Sequence, residues 1–347
     1  MERFVFIAAV TIAVLFGLGA MFGGPHMNNW HWSMDAEGGT APVVAVAPGA
    51  MAAQTFEGQY LRLRSVAANV TIIPEDRADY SVEIDNAAGL APMPTVSTDE
   101  GHVVIDGQLR GRIGGCGGDT ISLRGYSDVP VAQLPHITIR GPRSLDVDRS
   151  GAGTTEIGAT SQLSLDFSGC GTATVGDVAG DFDLDIAGAG ELTGGAVGHL
   201  SADVAGSGDI TLGTISRGAE VDLSGSATIQ IASLSGDLNM DAAGSSNVTI
   251  RGGSVGTAEI DMAGSGDLEI DAPVQVMNVS IMGVGDIDVS GTVGDLDADI
   301  AGPGTITVAA VTGSLRQDIA GPGSVHVTGR GGAPAAPAAP ALAPPAP

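Results

Sequence analysis

From residue 143 onward, apolar and polar positions alternate in short bursts separated by glycine, and the bursts recur at a fixed period. Aligned on one glycine, the repeats fall at Gly151, Gly169, Gly188, Gly206, Gly225, Gly244, Gly264, Gly283, Gly302 and Gly321, a period near 19 residues. A second glycine follows two residues later in eight of the ten, with Ala227 and Ser246 as the exceptions. Six residues before the marker the residue is always apolar, as in Leu163, Phe182 and Leu238; two before it, only Arg149 breaks the apolar pattern. Five residues after the marker all ten are polar or charged, and six after it nine of ten are apolar. Each repeat therefore predicts two short strands around a tight Gly-x-Gly turn, with one face of each strand directed at a core. One coil cannot bury its apolar face alone, so successive coils stack in parallel and share a continuous core. The predicted fold is all-β: a parallel β-helix of about ten coils rising about 4.8 Å per coil, right-handed by analogy with other parallel β connections.

The flanks read differently. Residues 4–22 are an uncharged, mostly apolar run close to the length that spans a bilayer, predicting one N-terminal apolar helix. Residues 1–24 are read as a signal peptide or membrane anchor, and both readings export the rest of the chain. Residues 25–54, rich in Gly, Pro and Ala, read as a linker; His26 and His31 beside Trp30 and Trp32 fit an interfacial belt better than a metal site. Residues 55–142 hold short alternating segments such as Tyr60–Arg64, Tyr80–Ile84 and His136–Arg140, an N-terminal β region leading into the solenoid at 143–330. Residues 331–347 form a Pro/Ala-rich tail without the means to build a core. After Val327 no amphipathic helix covers the last coil, which leaves end-to-end self-association open.

Charge narrows the partners. Against 40 acidic residues stand 14 basic ones, all Arg, for a net charge of −26. Nucleic acid and anionic membrane surfaces would be repelled; a membrane partner is expected only through the N-terminal segment, if it is not cleaved. Cys116, in a Gly-rich loop, and Cys170, in the turn of the second coil, are expected to form one disulfide in an oxidising compartment, since two lone cysteines in an exported chain rarely stay free.

The most suggestive polar feature is a column three residues before the marker: Asp148, Asp166, Asp185, Asp203, Asp222, Asp241, Asp261, Asp299 and Asp318, with Ser280 in the remaining coil. The bland reading is turn capping, each carboxylate accepting bonds from the N–H groups of its own turn. The sharper reading is calcium, but calcium-binding β-roll repeats recur every nine residues with Asp after the glycines, and here the column precedes them. No cofactor is expected. For catalysis the coils offer scattered Arg217, Arg251, Arg316, His199 and His326, with no nucleophile context or phosphate loop. The break at Ser280-Ile281-Met282-Gly283 is where an enzymatic cluster would be sought.

Repeated strings such as Ala205-Gly206-Ser207-Gly208-Asp209-Ile210 and Ala263-Gly264-Ser265-Gly266-Asp267-Leu268, with the lead-in His136-Ile137-Thr138-Ile139-Arg140-Gly141-Pro142, resemble the putative auto-transporter adhesin head domain family, the GIN domain. The resemblance spans roughly residues 56–328 and implies a right-handed β-helix in the periplasm or at the cell surface; it brings no demonstrated activity. The reading that results is a non-catalytic, adhesin-like binding or envelope scaffold with a protein or glycan partner. A carbohydrate-active β-helix enzyme and a calcium-binding surface protein stand as alternatives.

Overall fold

The computed structural model describes residues 46–329. The expected apolar helix at 4–22, most of the 25–54 linker and the 331–347 tail lie outside the described residues. Among the described residues no helix is long and apolar enough to cross a membrane.

The repeats stack as their columns require. Neighbouring coils pair in parallel and in register, marker on marker: Gly151 with Gly169, Gly169 with Gly188, Gly206 with Gly225. Each coil contributes a long strand ending at the marker, a four-residue strand after it, and a brief third segment where Val197, Ile215 and Leu234 stack. Glycine is required at the marker for two reasons visible at Gly225: its φ is +138°, and a Cβ there would lie 2.2 Å from the carbonyl oxygen of Gly206 in the coil below. The inward columns fuse into one core running the length of the stack, in which Leu165, Ile231 and Val289 are wholly buried.

The N-terminal region is built otherwise. Its strands are β1 (Gly49–Phe56), β2 (Tyr60–Ala67), β3 (Asn69–Glu75), β4 (Tyr80–Asn86), β5 (Thr95–Asp99) and β6 (His102–Asp106). Next come a small antiparallel sheet of β7 (Ile113–Gly117), β8 (Thr120–Leu123) and β9 (Val129–Pro130), then β10 (His136–Pro142), β11 (Ser144–Ala152) and β12 (Thr154–Ile157). β11 lies parallel on β2, and β12 on β3, so residues 60–75 form a coil beneath the first repeat. The layer below that comes from later in the chain: β6 pairs with β2 and β10 with β3, both in parallel. β5 on β6, β4 on β10 and β1 on β4 then run antiparallel and close this end. Val103 and Ile105 are fully buried there.

Two expectations need correction. Residues 49–54 belong to β1 rather than to a linker; Met51 and Phe56 of that strand pack against the core, while its Ala-rich stretch carries no alternation that would reveal a strand. The 55–142 segment does more than lead into the solenoid, because it supplies the stack's lower layers and their closure.

Candidate binding face and groove

On the outer face of the long-strand sheet, the aspartates from Asp148 to Asp318 pair coil to coil as one ladder, interrupted at Ser280. The turn-capping role expected of them is not formed. No hydrogen bond among the described residues joins one of these carboxylates to a turn N–H. The donors are already occupied: Ser207, Ser226, Ser245 and Ser265 donate their turn N–H groups to the marker carbonyl of the coil below, at 2.8 to 2.9 Å. With the backbone extended up to the marker, the aspartates stand out from the sheet toward solvent instead.

Different carboxylates bind backbone, and they tie one coil to the next. Asp177 accepts from the N–H of Ala196 (2.8 Å), Asp237 from Thr257 (2.7 Å), Asp286 from Thr305 (3.0 Å) and Asp295 from Ser314 (2.7 Å). A signal for two of them was present in the sequence, because Gly236-Asp237 and Gly294-Asp295 recur at one phase of the period.

Stacking like charges has an electrostatic consequence. Two carboxylates one coil apart repel by about 1 kcal/mol even at the dielectric constant of water. Burial first, and then Asp203 and Asp241 on either side, push the Asp222 carboxyl up to about 6. Asp185 is raised by burial and then by its bond to Asp166; Asp241 is raised by burial and then by Asp261. At the foot of the ladder Arg62 Nε donates to Asp148 at 2.8 Å and neutralises that member. Among the described residues no three His, Cys, Asp or Glu side chains converge as a metal site would require.

Beside the foot of the ladder lies an open groove of about 360 Å³. Tyr60, Gln59, Ser144, Gln162, Asp146 and Asp183 line it. Tyr60 is 40% exposed, and its ring is steadied by His102 at 5.0 Å between centroids. Beneath, the buried Tyr80 donates its hydroxyl to the Gln59 carbonyl at 3.2 Å, and burial followed by the nearby Asp146 charge pushes its pKa up to about 12. The Asp146 carboxyl is also raised, by burial first, with His102 and Arg62 opposing and Asp148 adding to the rise. Sequence reasoning missed this groove, since its residues come from four separate stretches; the aromatic Tyr60 in an aromatic-poor chain was the available signal.

The scattered basic residues do not assemble. Arg217 donates to Asp181 at 2.9 Å, Arg251 to Gln230 at 2.8 Å and Arg316 to Asp297 at 3.1 Å. His199 Nδ1 lies 3.3 Å from the Arg217 carbonyl, and His326 Nε2 lies 3.0 Å from the Ser324 hydroxyl. The interruption at Ser280 holds no polar cluster; Met282 and Val284 stand about half exposed at the corner. Arg149 is wholly buried, its guanidinium 5.1 Å from the Phe167 ring centroid and bonded only through Nη2 to the Ala152 carbonyl at 3.1 Å. Burial pushes its pKa down to about 10. Cys116 and Cys170 are joined, with Cα atoms 5.9 Å apart, so the small β7–β9 sheet is fastened to the second coil's turn.

Residues 214–331 match the model of the family described as putative auto-transporter adhesin, head GIN domain, so the resemblance seen in the repeated strings holds over the later coils. Among solved structures the chain is similar to a putative adhesin from Parabacteroides distasonis (15% identity, TM-score 0.39, 79% of this chain and 95% of that one). It is also similar to a putative adhesin from Parabacteroides merdae (14%, TM-score 0.38, 79% and 95%). A putative lipid binding protein from Parabacteroides distasonis aligns at 18% identity and TM-score 0.35, over 80% and 95% of the two chains. No curated protein matches the chain.

Proposed function

We propose that this protein is a non-catalytic, extracytoplasmic β-helix of right-handed winding that binds an uncharged, hydroxyl-rich partner, a surface glycan, in the groove beside Tyr60. One observation carries the reading: an exposed aromatic ring lies next to amides, hydroxyls and carboxylates in a concave polar site. A sugar presents an apolar face to stack on a ring and a rim of hydroxyls to donate and accept hydrogen bonds. The acidic ladder bordering the groove turns away anionic polymers and leaves neutral ones unhindered. The adhesin description of the family matched by residues 214–331 supports a binding role. Export is supported by the apolar run at 4–22 and by the disulfide, which persists in oxidising compartments. If that run is not cleaved, it anchors the protein in the membrane.

The test is binding of the full-length protein to an array of neutral oligosaccharides, with Tyr60→Ala as the matched variant. Saturable binding that falls about tenfold in the variant is the expected result; equal binding by both proteins rejects the groove. One observation favours a second reading, glycan cleavage: burial holds Asp146 above the ordinary carboxylate range in a groove that also holds Asp183, the raised acid and second carboxylate that glycosidases use. Release of reducing ends that stops in Asp146→Asn would replace the binding-only reading.

A further inference from the structure

The two ends of the stack differ in what they leave uncovered. At the upper end, Leu315–Ala320 pairs with the coil below and Ser324–Val327 likewise, and among the described residues nothing pairs with their other edges. Leu315 is 45% exposed and Val327 39%, whereas the residues directly beneath them, Leu296 and Val308, are at 1% and 0%. Ile319 and Val325 are also left half covered. A parallel coil with an apolar interior and a free edge is a surface that another strand completes.

We infer that the last coil joins a second copy of this chain end to end, Leu315–Ala320 pairing antiparallel with itself across a two-fold axis at Gln317. The residues of that strand are self-complementary in this register. Arg316 and Asp318 both face outward; each Arg316 bonds Asp297 of its own chain through Nη1 and turns its remaining guanidinium N–H groups to the partner's Asp318, twice over. Leu315 and Ile319 both face inward and meet each other, which restores the covered core. Gln317 takes the inward position that Val279 and Ala298 hold in the coils below it. At the axis its amide meets its own copy and finds both a donor and an acceptor. The arrangement also closes the acidic ladder: among the described residues Asp318 has no ion pair, its neighbour below is Asp299, and the partner supplies the cation.

The other occupants fit less well. The opposite end of the stack is sealed by antiparallel strands, and its outer strand β5, Thr-Val-Ser-Thr-Asp, offers the apolar interior little to pack against, so a head-to-tail filament lacks a matching surface. An isologous contact also closes on itself, as most homodimers do. The tail at 330–347 carries Pro334, Pro337, Pro340, Pro344, Pro345 and Pro347. Proline has no N–H to give a strand edge, and alanine has little area with which to cover a core.

The experiment is the mass of the full-length protein in detergent, by light scattering across a dilution series. It is run for the natural chain, Arg316→Asp, the double swap Arg316→Asp with Asp318→Arg, and a chain truncated after residue 329. The expected result is a dimer whose dissociation constant rises about tenfold or more in Arg316→Asp and recovers in the double swap; recovery excludes misfolding as the cause. Gln317→Cys should also crosslink as a dimer under oxidation, because directly opposed Cβ atoms lie about 5 Å apart. A natural chain that stays monomeric overturns the inference, and if only the truncated chain dimerises, the tail is the occupant. A dimer indifferent to Arg316→Asp and without the Gln317→Cys crosslink overturns the register.

Discussion

The two ends of this solenoid treat the same problem in opposite ways. The repeats from Gly151 to Gly321 add coil upon coil by one rule, and the rule contains no instruction to stop: the tenth coil offers the same kind of edge as the second. The N-terminal region stops the stack by abandoning the rule. It places a later segment beneath an earlier one, turns three pairings antiparallel and fastens an extra small sheet with a disulfide. A repeat thus specifies elongation cheaply, while closure requires sequence that is not a repeat.

Four perturbations break or sharpen that contrast. The largest effect belongs to the marker glycines. Gly225→Ala should cost on the order of 5 kcal/mol, since both its φ and the Gly206 carbonyl forbid a Cβ. Gly111→Ala, in the N-terminal insertion with φ +66° and open space around it, should cost only about 1 kcal/mol. Denaturant midpoints of the two variants compare them directly, and equal losses would mean that the stack is not the stricter environment.

Next comes the disulfide, which closes a loop of sequence separation 54. Its loss in Cys116→Ser with Cys170→Ser should cost about 4 kcal/mol on the chain-entropy model. Hydrogen exchange should accelerate in residues 107–134 and stay unchanged beyond Gly225. Uniform acceleration along the rod would show that the closed end and the repeats unfold as one unit.

Arg149 gives a smaller effect of opposite sign. Its Nε and Nη1 are buried without partners. Arg149→Met should therefore stabilise the junction between the two regions by about 2 kcal/mol, read as a higher urea midpoint. A lower midpoint would show that the guanidinium contact with Phe167 outweighs its desolvation.

The smallest effect is that of pH on the ladder. The Asp222 carboxyl is raised from 3.8 to about 6 in the folded protein. The stability it contributes is complete below 3.8 and is lost as pH rises through about 6. Melting should accordingly rise by a few degrees between about pH 7.5 and about pH 5, and Asp222→Asn should flatten that rise. The lowered groups Asp79, Asp106 and Asp295 act oppositely, but only as pH falls below the usual carboxylate value of 3.8. The same melt in calcium and in chelator separates screening of the ladder from specific binding; a calcium-specific rise beyond that given by magnesium would revive a metal role.

Much of the architecture was legible in the amino-acid pattern alone. A 19-residue period with fixed apolar columns admits few arrangements other than a stack, and Leu163, Phe182 and Leu200 lie one above another as their column requires. The Cys116–Cys170 bond was legible by chemistry, as the pairing of two lone cysteines. The Asp column was legible as a column and misassigned in role, because alternation tells which side of a strand a residue occupies and not which backbone donors are still free. The groove was legible only in its one aromatic, Tyr60, and not as a site, since Tyr60, Ser144 and Asp183 meet only when β2, β11 and the third coil are brought side by side.

The amino-acid sequence by itself determined the period, the inward and outward faces, the glycine corners and the sign of the charge along the rod. These follow from local backbone preference and from the need of each coil to bury one face, and they repeat every 19 residues whatever lies beyond. Only the tertiary structure decided the order of layers at the N-terminal end, the uncovered edge at the other, the burial of Arg149 and the partners of each carboxylate. Those depend on contacts between segments far apart in the chain, where pairing is chosen by which edges and donors remain unsatisfied once the repeats have formed.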